Sequence, residues 1–174
     1  MKTFVQTFFG TLFLMATANA QQATTLSDAE VANIAVTANQ IDINYAAIAK
    51  AKSKNADVIK FAETMQRDHN AVIAQAAALV KKLGVTPKEN AVGKKMLADA
   101  TRTMSRLRAK SGNNFNKAYI ANEVAYHKAV IDAVTNTLIP ETENEELKQL
   151  LQDVLPALKE HLAHAEMLQK NQQK

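Results

Sequence analysis

Three of the four histidines in this chain, His69, His127 and His161, stand where a helix would bury them. In the stretch FAETMQRDHNAVIAQA, Phe61 to Ala76, the residues Val58, Ala62, Met65, His69, Val72, Ala76, Leu79 and Leu83 share one face at helical spacing. The phrase returns in YIANEVAYHKAVIDAV, Tyr119 to Val134: again an aromatic precedes a histidine by eight residues, Ala-Val-Ile follows, and His127 falls mid-stripe. Such a repeat points to an internal duplication, or to two helices that meet at one layer. Near the end, Leu147, Leu151, Val154, Leu158, His161, Ala165 and Leu168 set a third imidazole in register. Asp42 adds a carboxylate beside Ile41, at or within a fourth stripe. Isolating one such polar group in an apolar interior costs roughly 1–3 kcal/mol, so each needs a partner.

Three imidazoles and a carboxylate suit one divalent transition ion, Zn, Fe, Mn or Cu, with no thiolate to select otherwise. Glu123, four residues before His127, can ligate or orient it, and Asp68 can orient a neighbouring imidazole. His164, three residues after His161, belongs at the rim of such a site or with His161 in a small exposed clamp. A lone mid-stripe histidine is more often a satisfied core residue than a ligand, and the competing reading is a hydrogen-bonded core network with no ion. Exposure is the simple reading of Glu160, and a packed core position that of Tyr45 and Tyr119 with their hydroxyls hydrogen-bonded. Carboxylate-bridged di-iron sites use Glu-x-x-His on two helices, whereas Gln66, Val124, Leu158 and His161 stand three residues before the four histidines. Ferroxidase chemistry is therefore disfavoured, and an enzyme is the weakest of the readings.

The elements that must carry these residues are helices. Ser27-Asp28 with Glu30 forms a capping-box signature, and the first helix runs from there to about Ala51. Asn55 or Asp57 opens the second, which Gly84 and Pro87 close. A thinner, more polar third is expected from about Glu89 to Lys110, a fourth from Phe115 to Leu138 ending at Pro140, and a last opened by Thr142 and Glu145 and interrupted by Pro156. No strand-like alternation appears. The fold expected is all-α, an antiparallel bundle of four long helices with one additional shorter helix. In an up-down bundle helix midpoints share a layer, which would bring Asp42, His69, His127 and His161 together.

The start of the chain has a different character. Lys2, an apolar run from Phe4 to Ala16 and the small-x-small end Ala18-Asn19-Ala20 read as a secretory signal peptide, residues 1–20. A linker, 21–26, and a single domain, 27–171, follow. The expected location is periplasmic, with association to the outer membrane as the alternative, and no transmembrane segment is expected in the mature chain, since no other run approaches the ~20 uncharged residues of a membrane span. With no cysteine there is no lipid anchor and no disulfide. The formal charge of +4 becomes +3 without Lys2. Basic residues crowd Lys94 to Lys117, where Lys94, Lys95, Arg102, Arg106, Arg108, Lys110 and Lys117 face only Asp99. A solvated face is the plainest reading, peripheral contact with an anionic envelope surface the functional one, and no interleaved aromatics support nucleic-acid binding.

The phrases FAETMQRDH, FNKAYI followed by a histidine, and LPALKEHLAHAEML resemble a widespread family of exported bacterial proteins of unknown function, often labelled predicted outer-membrane proteins. The resemblance covers about Leu26 to Leu168 and implies a ferritin-like helical bundle. By position it places the family's helix-one acid on Asp42, its Asp-His pair on Asp68-His69, its later histidine on His127 and its Leu-Pro-x-Leu-x-x-His on Leu155 to His161. Tyr126 stands where the family often has an acid, and Phe115-Asn116 where it often has Phe-Asp. The function expected is an exported bundle that binds a divalent metal at mid-bundle, tied to envelope stress or metal handling; the alternative is a non-catalytic structural or binding module of the envelope with an unidentified partner.

Overall fold

The computed structural model describes residues 25–172; the signal peptide and most of the linker expected from the sequence lie outside them. All regular structure among the described residues is helical: α1 Asp28–Lys52, α2 Ala56–Leu83, α3 Ala91–Arg108, α4 Gly112–Ala133, a π-helical turn Val134–Leu138, α5 Ile139–Glu141 and α6 Glu145–Asn171. No helix among them is long and apolar enough to cross a membrane.

A short polar residue stands at the head of each long helix, and at α2, α3 and α6 its side chain accepts from the first free N–H groups. Ser27 and Glu30 form the expected reciprocal box on α1. The Asn55 side chain accepts from Asp57 and Val58 N–H at the head of α2, and Asn90 from Gly93 N–H at the head of α3. Gly84 ends α2 in the left-handed region, φ 67°, where a side chain would be strained. Two expected boundaries are corrected. Asn144, not Thr142, caps α6, accepting from Glu146 and Leu147 N–H, while the buried Thr142 donates its hydroxyl back to the Leu138 carbonyl at 2.6 Å. Pro140 does not close α4 directly. It lacks the N–H owed to the carbonyl four residues back and crowds that carbonyl, and the ladder widens just before it, where Ile139 N–H reaches Val134 five residues back. The helical course then ends at Thr142. α6, by contrast, runs unbroken through Pro156.

Pairings between helices give their directions. α2 runs antiparallel to α1, with Lys50 on Gln66 and Asn39 on His69. α3 then returns alongside α1: Asn90 reaches the Glu30 carbonyl at one end, and Lys52 reaches the Arg108 carbonyl at the other. At Gly93 a Cβ would fall 2.9 Å from Asn33 Oδ1, so α3 sits close on α1 there. Because α3 carries the chain back, α4 descends parallel to α2, and α6 rises parallel to α1. The simple up-down order expected from the sequence is thus replaced by up, down, down, up, with α3 as the crossing element. Shared depth survives this change, since midpoints meet in either order.

The interior is aliphatic and aromatic. One cluster, including Ile41, Tyr45, Phe61, Met65, Phe115, Tyr119 and Ile120, fills the end where α1 finishes and α4 begins; another, including Val31, Ile34, Val134, Leu138, Leu147 and Leu151, fills the opposite end. Between the two lies the polar layer.

Candidate metal centre

Asp42 from α1, His69 from α2, Glu123 and His127 from α4 and His161 from α6 meet in this layer, and each is buried. The three imidazole rings form a near-equilateral triangle, with centroids 5.8, 5.3 and 5.5 Å apart. Facing ligand atoms of His69, His127 and His161 lie within 4.8 Å of one another, as do those of Asp42, Glu123 and His127. The repeated phrase of α2 and α4 forms matched pairs: Phe61 meets Tyr119 edge-on at 6.2 Å, and one layer on His69 meets His127. This follows from the parallel run of the two helices.

Each imidazole is anchored through one nitrogen only. His69 Nδ1 lies 2.7 Å from Asn39 Oδ1, and the Asn39 amide is itself oriented by donating to the Ala35 carbonyl at 2.8 Å. His127 Nδ1 donates to the Glu123 backbone carbonyl at 3.0 Å. His161 Nε2 donates to Asp68 Oδ2 at 3.0 Å, and Asp68 is gripped in turn by Arg67 at 2.8 and 3.2 Å. Every anchor is an acceptor, so each anchoring nitrogen carries the hydrogen and the second nitrogen of a neutral ring presents a lone pair. Those second nitrogens, His69 Nε2, His127 Nε2 and His161 Nδ1, are buried without hydrogen-bond partners, and so are both Asp42 oxygens and Glu123 Oε2. Asp42 Oδ2 approaches His69 Nε2 at 3.1 Å and His127 Nε2 at 3.4 Å, as close contacts outside hydrogen-bond alignment. Lone pairs facing lone pairs repel. A cation, an added proton or a hydrogen-bonding water between them would relieve this.

Burial pushes the Asp42 carboxyl up, but the contact with His69 and the attraction of His69 and His127, when these rings are protonated, outweigh it and hold it below the usual carboxylate range. Burial pushes Glu123 well above that range, and the neighbouring Asp42 charge adds to the shift. Of the two acids Asp42 is therefore the anion, and Glu123 keeps the proton. Burial lowers His127 and His161 below the ordinary 6.5, with Asp42 and Asp68 respectively opposing. Neutral rings with free lone pairs are the form in which imidazole ligates a metal.

His164 is not brought to the cluster; its half-buried ring packs edge-on against Phe61 at 5.1 Å, one turn along α6. Glu160 is exposed as expected. Tyr119 is a core residue as expected, but its hydroxyl has no partner. Sequence reasoning missed Asn39, the residue that orients His69, and Tyr126, whose hydroxyl donates to the Ala38 carbonyl at 2.8 Å and ties α4 to α1 beside the site. Asn39 lies three residues before Asp42, one turn away on the same face, and that spacing was the only local signal.

No curated protein and no solved structure matches the chain. A family model does, that of a domain of unknown function, DUF4142, over residues 14–168. The matched span takes in every residue of the cluster from Asp42 to His161, and the chain belongs to the DUF4142 family.

Proposed function

We propose that this protein is an exported, ferritin-like helical bundle that binds one divalent transition ion, Zn, Fe, Mn or Cu, at the Asp42, His69, His127 and His161 layer, with Glu123 beside it. One observation carries the reading. Three buried imidazoles on three helices each spend one nitrogen on an anchoring acceptor and aim the other, unpartnered, at a common space bordered by Asp42. A nitrogen-and-carboxylate set of this kind suits borderline divalent ions, and Asn39, the Glu123 carbonyl and Asp68 are the outer partners that fix ring orientation. The up, down, down, up course of α1, α2, α4 and α6 supports the ferritin-like part of the reading. The Ala18-Asn19-Ala20 end supports export to the periplasm, and metal handling or defence of the envelope is the role that fits both. Chain prepared without a histidine tag should contain close to one equivalent of metal, or take it up on titration, and should lose that capacity when His69 is replaced by Ala.

A second reading is favoured by the closeness of Asp42 Oδ2 to both His69 and His127. A proton shared among them would satisfy the layer without an ion, and the protein would be a structural or binding module of the envelope. The exposed basic residues of α3 would then be its working surface. Several are already occupied: Lys95 and Arg102 pair with Asp99, and Lys94 with Glu89 at 3.5 Å. Vesicles of anionic lipid test this, and binding that is strong at low salt and lost near 0.15 M, where screening acts within about 8 Å, would favour it.

A further inference from the structure

The polar layer borders a cavity of about 880 Å³. Asp42, His69, His127 and His161 all line it, whereas Glu123 does not. Away from them the walls are mostly apolar, with Ala35 of α1, Val72 of α2, Val130 of α4, Val134 of the π turn, and Leu151 and Val154 of α6, and with Thr103, Asn122 and Thr137 among the polar exceptions. Protein interiors are close-packed, with few voids larger than a water molecule. A space in the upper part of the roughly 300–1,000 Å³ range of small-molecule sites is not a packing defect of ordinary size. It is partly open to solvent, since Ala71 and Gln75 of α2, Ala125 and Ala129 of α4 and Ala157 of α6 are exposed and line it; Gln75 and Ala157 mark an entrance between α2 and α6. The π turn helps to shape it, contributing Val134, Thr137 and Leu138 to its wall.

We infer that this cavity binds an amphiphilic small molecule with an aliphatic body and a carboxylate-type head. The body lies among the aliphatic side chains, and the head points to the Asp42 and histidine layer and completes the coordination of the ion there. The class follows from the walls. Mostly apolar walls select an apolar body, and the Asp42 and histidine end offers ligands for an ion that would accept a further oxygen donor from the head. The head-group contact rests on the metal reading above; the apolar site does not.

Calorimetric titration of the full, untagged chain with decanoate tests the inference, in zinc-loaded and metal-free form, with decanol as the neutral control of equal length. Expected is saturable one-to-one binding of decanoate to the zinc-loaded chain, weaker by about tenfold or more both for decanol and for the metal-free chain, since each tenfold is a modest ~1.4 kcal/mol. Ala35→Phe, which fills the cavity some 10 Å along α1 from Asp42 at 1.5 Å per residue, should abolish decanoate binding while zinc binding is retained. Ala157→Phe, at the entrance, serves the same purpose if the first variant does not fold. If the chain takes up no zinc but decanoate still binds and either substitution abolishes it, the metal reading falls and the cavity assignment stands. No saturable binding of decanoate to either form, or binding indifferent to both substitutions, overturns the inference.

Discussion

At the scale of single residues, the behaviour of the centre turns on which nitrogen of each imidazole is already occupied. Asn39 is the most exacting of the anchors, since its amide is itself fixed by the Ala35 carbonyl and leaves His69 one orientation. Replacing an outer partner of a metal-bound histidine commonly weakens the metal by about 10–100-fold. Asn39→Ala should therefore lower zinc affinity by about that factor in a competition titration with a chromophoric chelator; unchanged affinity would mean that His69 is not a ligand. Acid gives a second test. Burial depresses His127 and His161 below 6.5 in the folded chain, so the unfolded chain binds more protons in that region. The stability these groups contribute is then present above about pH 6.5 and is lost as pH falls below it. Glu123, held protonated by burial in the folded chain, contributes with the opposite sign, its stability being lost as pH rises, so the clean test is metal-free Glu123→Gln protein, whose thermal midpoints should decline from pH 7.5 to pH 5. A midpoint that rises on acidification would point instead to an imidazolium paired with Asp42. The three buried histidines were legible because burial within one helix is a local property of spacing. His164 looked equivalent in sequence, and only the third dimension shows its ring turned to Phe61.

Among the helices, the caps and breakers carry what the sequence could tell. Ser27 with Glu30, Asn55, Gly84 and the polar break at Ser111 all act where their chemistry places them. The region from Val134 to Asn144 was misread because it holds two competing signals. Thr142 with Glu145 has the form of a capping box, yet Asn144 with Leu147 three residues on is the cap that forms. Asp28 helps to decide this from a distance, accepting from Glu143 N–H at 2.9 Å and Asn144 N–H at 3.1 Å across the end of α1. Such a contact joins residues more than a hundred positions apart and leaves no trace in local pattern. Asn144→Ala should cost about 0.5–2 kcal/mol in chemical denaturation, the usual range for a lost cap, with zinc stoichiometry unchanged. Equal stability of the two proteins would return the cap to Thr142.

At the scale of the whole molecule, depth was legible and direction was not. Asp42, His69, His127 and His161 could be placed in one layer from helix midpoints alone, and the structure brings them together with Glu123. That α3 turns back along α1, making α2 and α4 parallel, depends on contacts such as Asn90 to the Glu30 carbonyl that no periodicity encodes. The cavity was equally hidden, being what several stripes leave unfilled. An ion at the centre would tie four helices to one point, and it stabilises the folded chain by mass action, about 2.7 kcal/mol at a hundredfold excess over its dissociation constant. The most direct test is a comparison of wild type and His69→Ala by zinc titration and thermal unfolding, each with and without zinc. Expected is one zinc per chain and a midpoint raised by zinc in the wild type, with both effects lost in the variant. No uptake of zinc, iron, manganese or copper by the wild type, together with a destabilisation by His69→Ala of roughly 1–3 kcal/mol that is the same with or without metal, would contradict the metal centre and leave a hydrogen-bonded core.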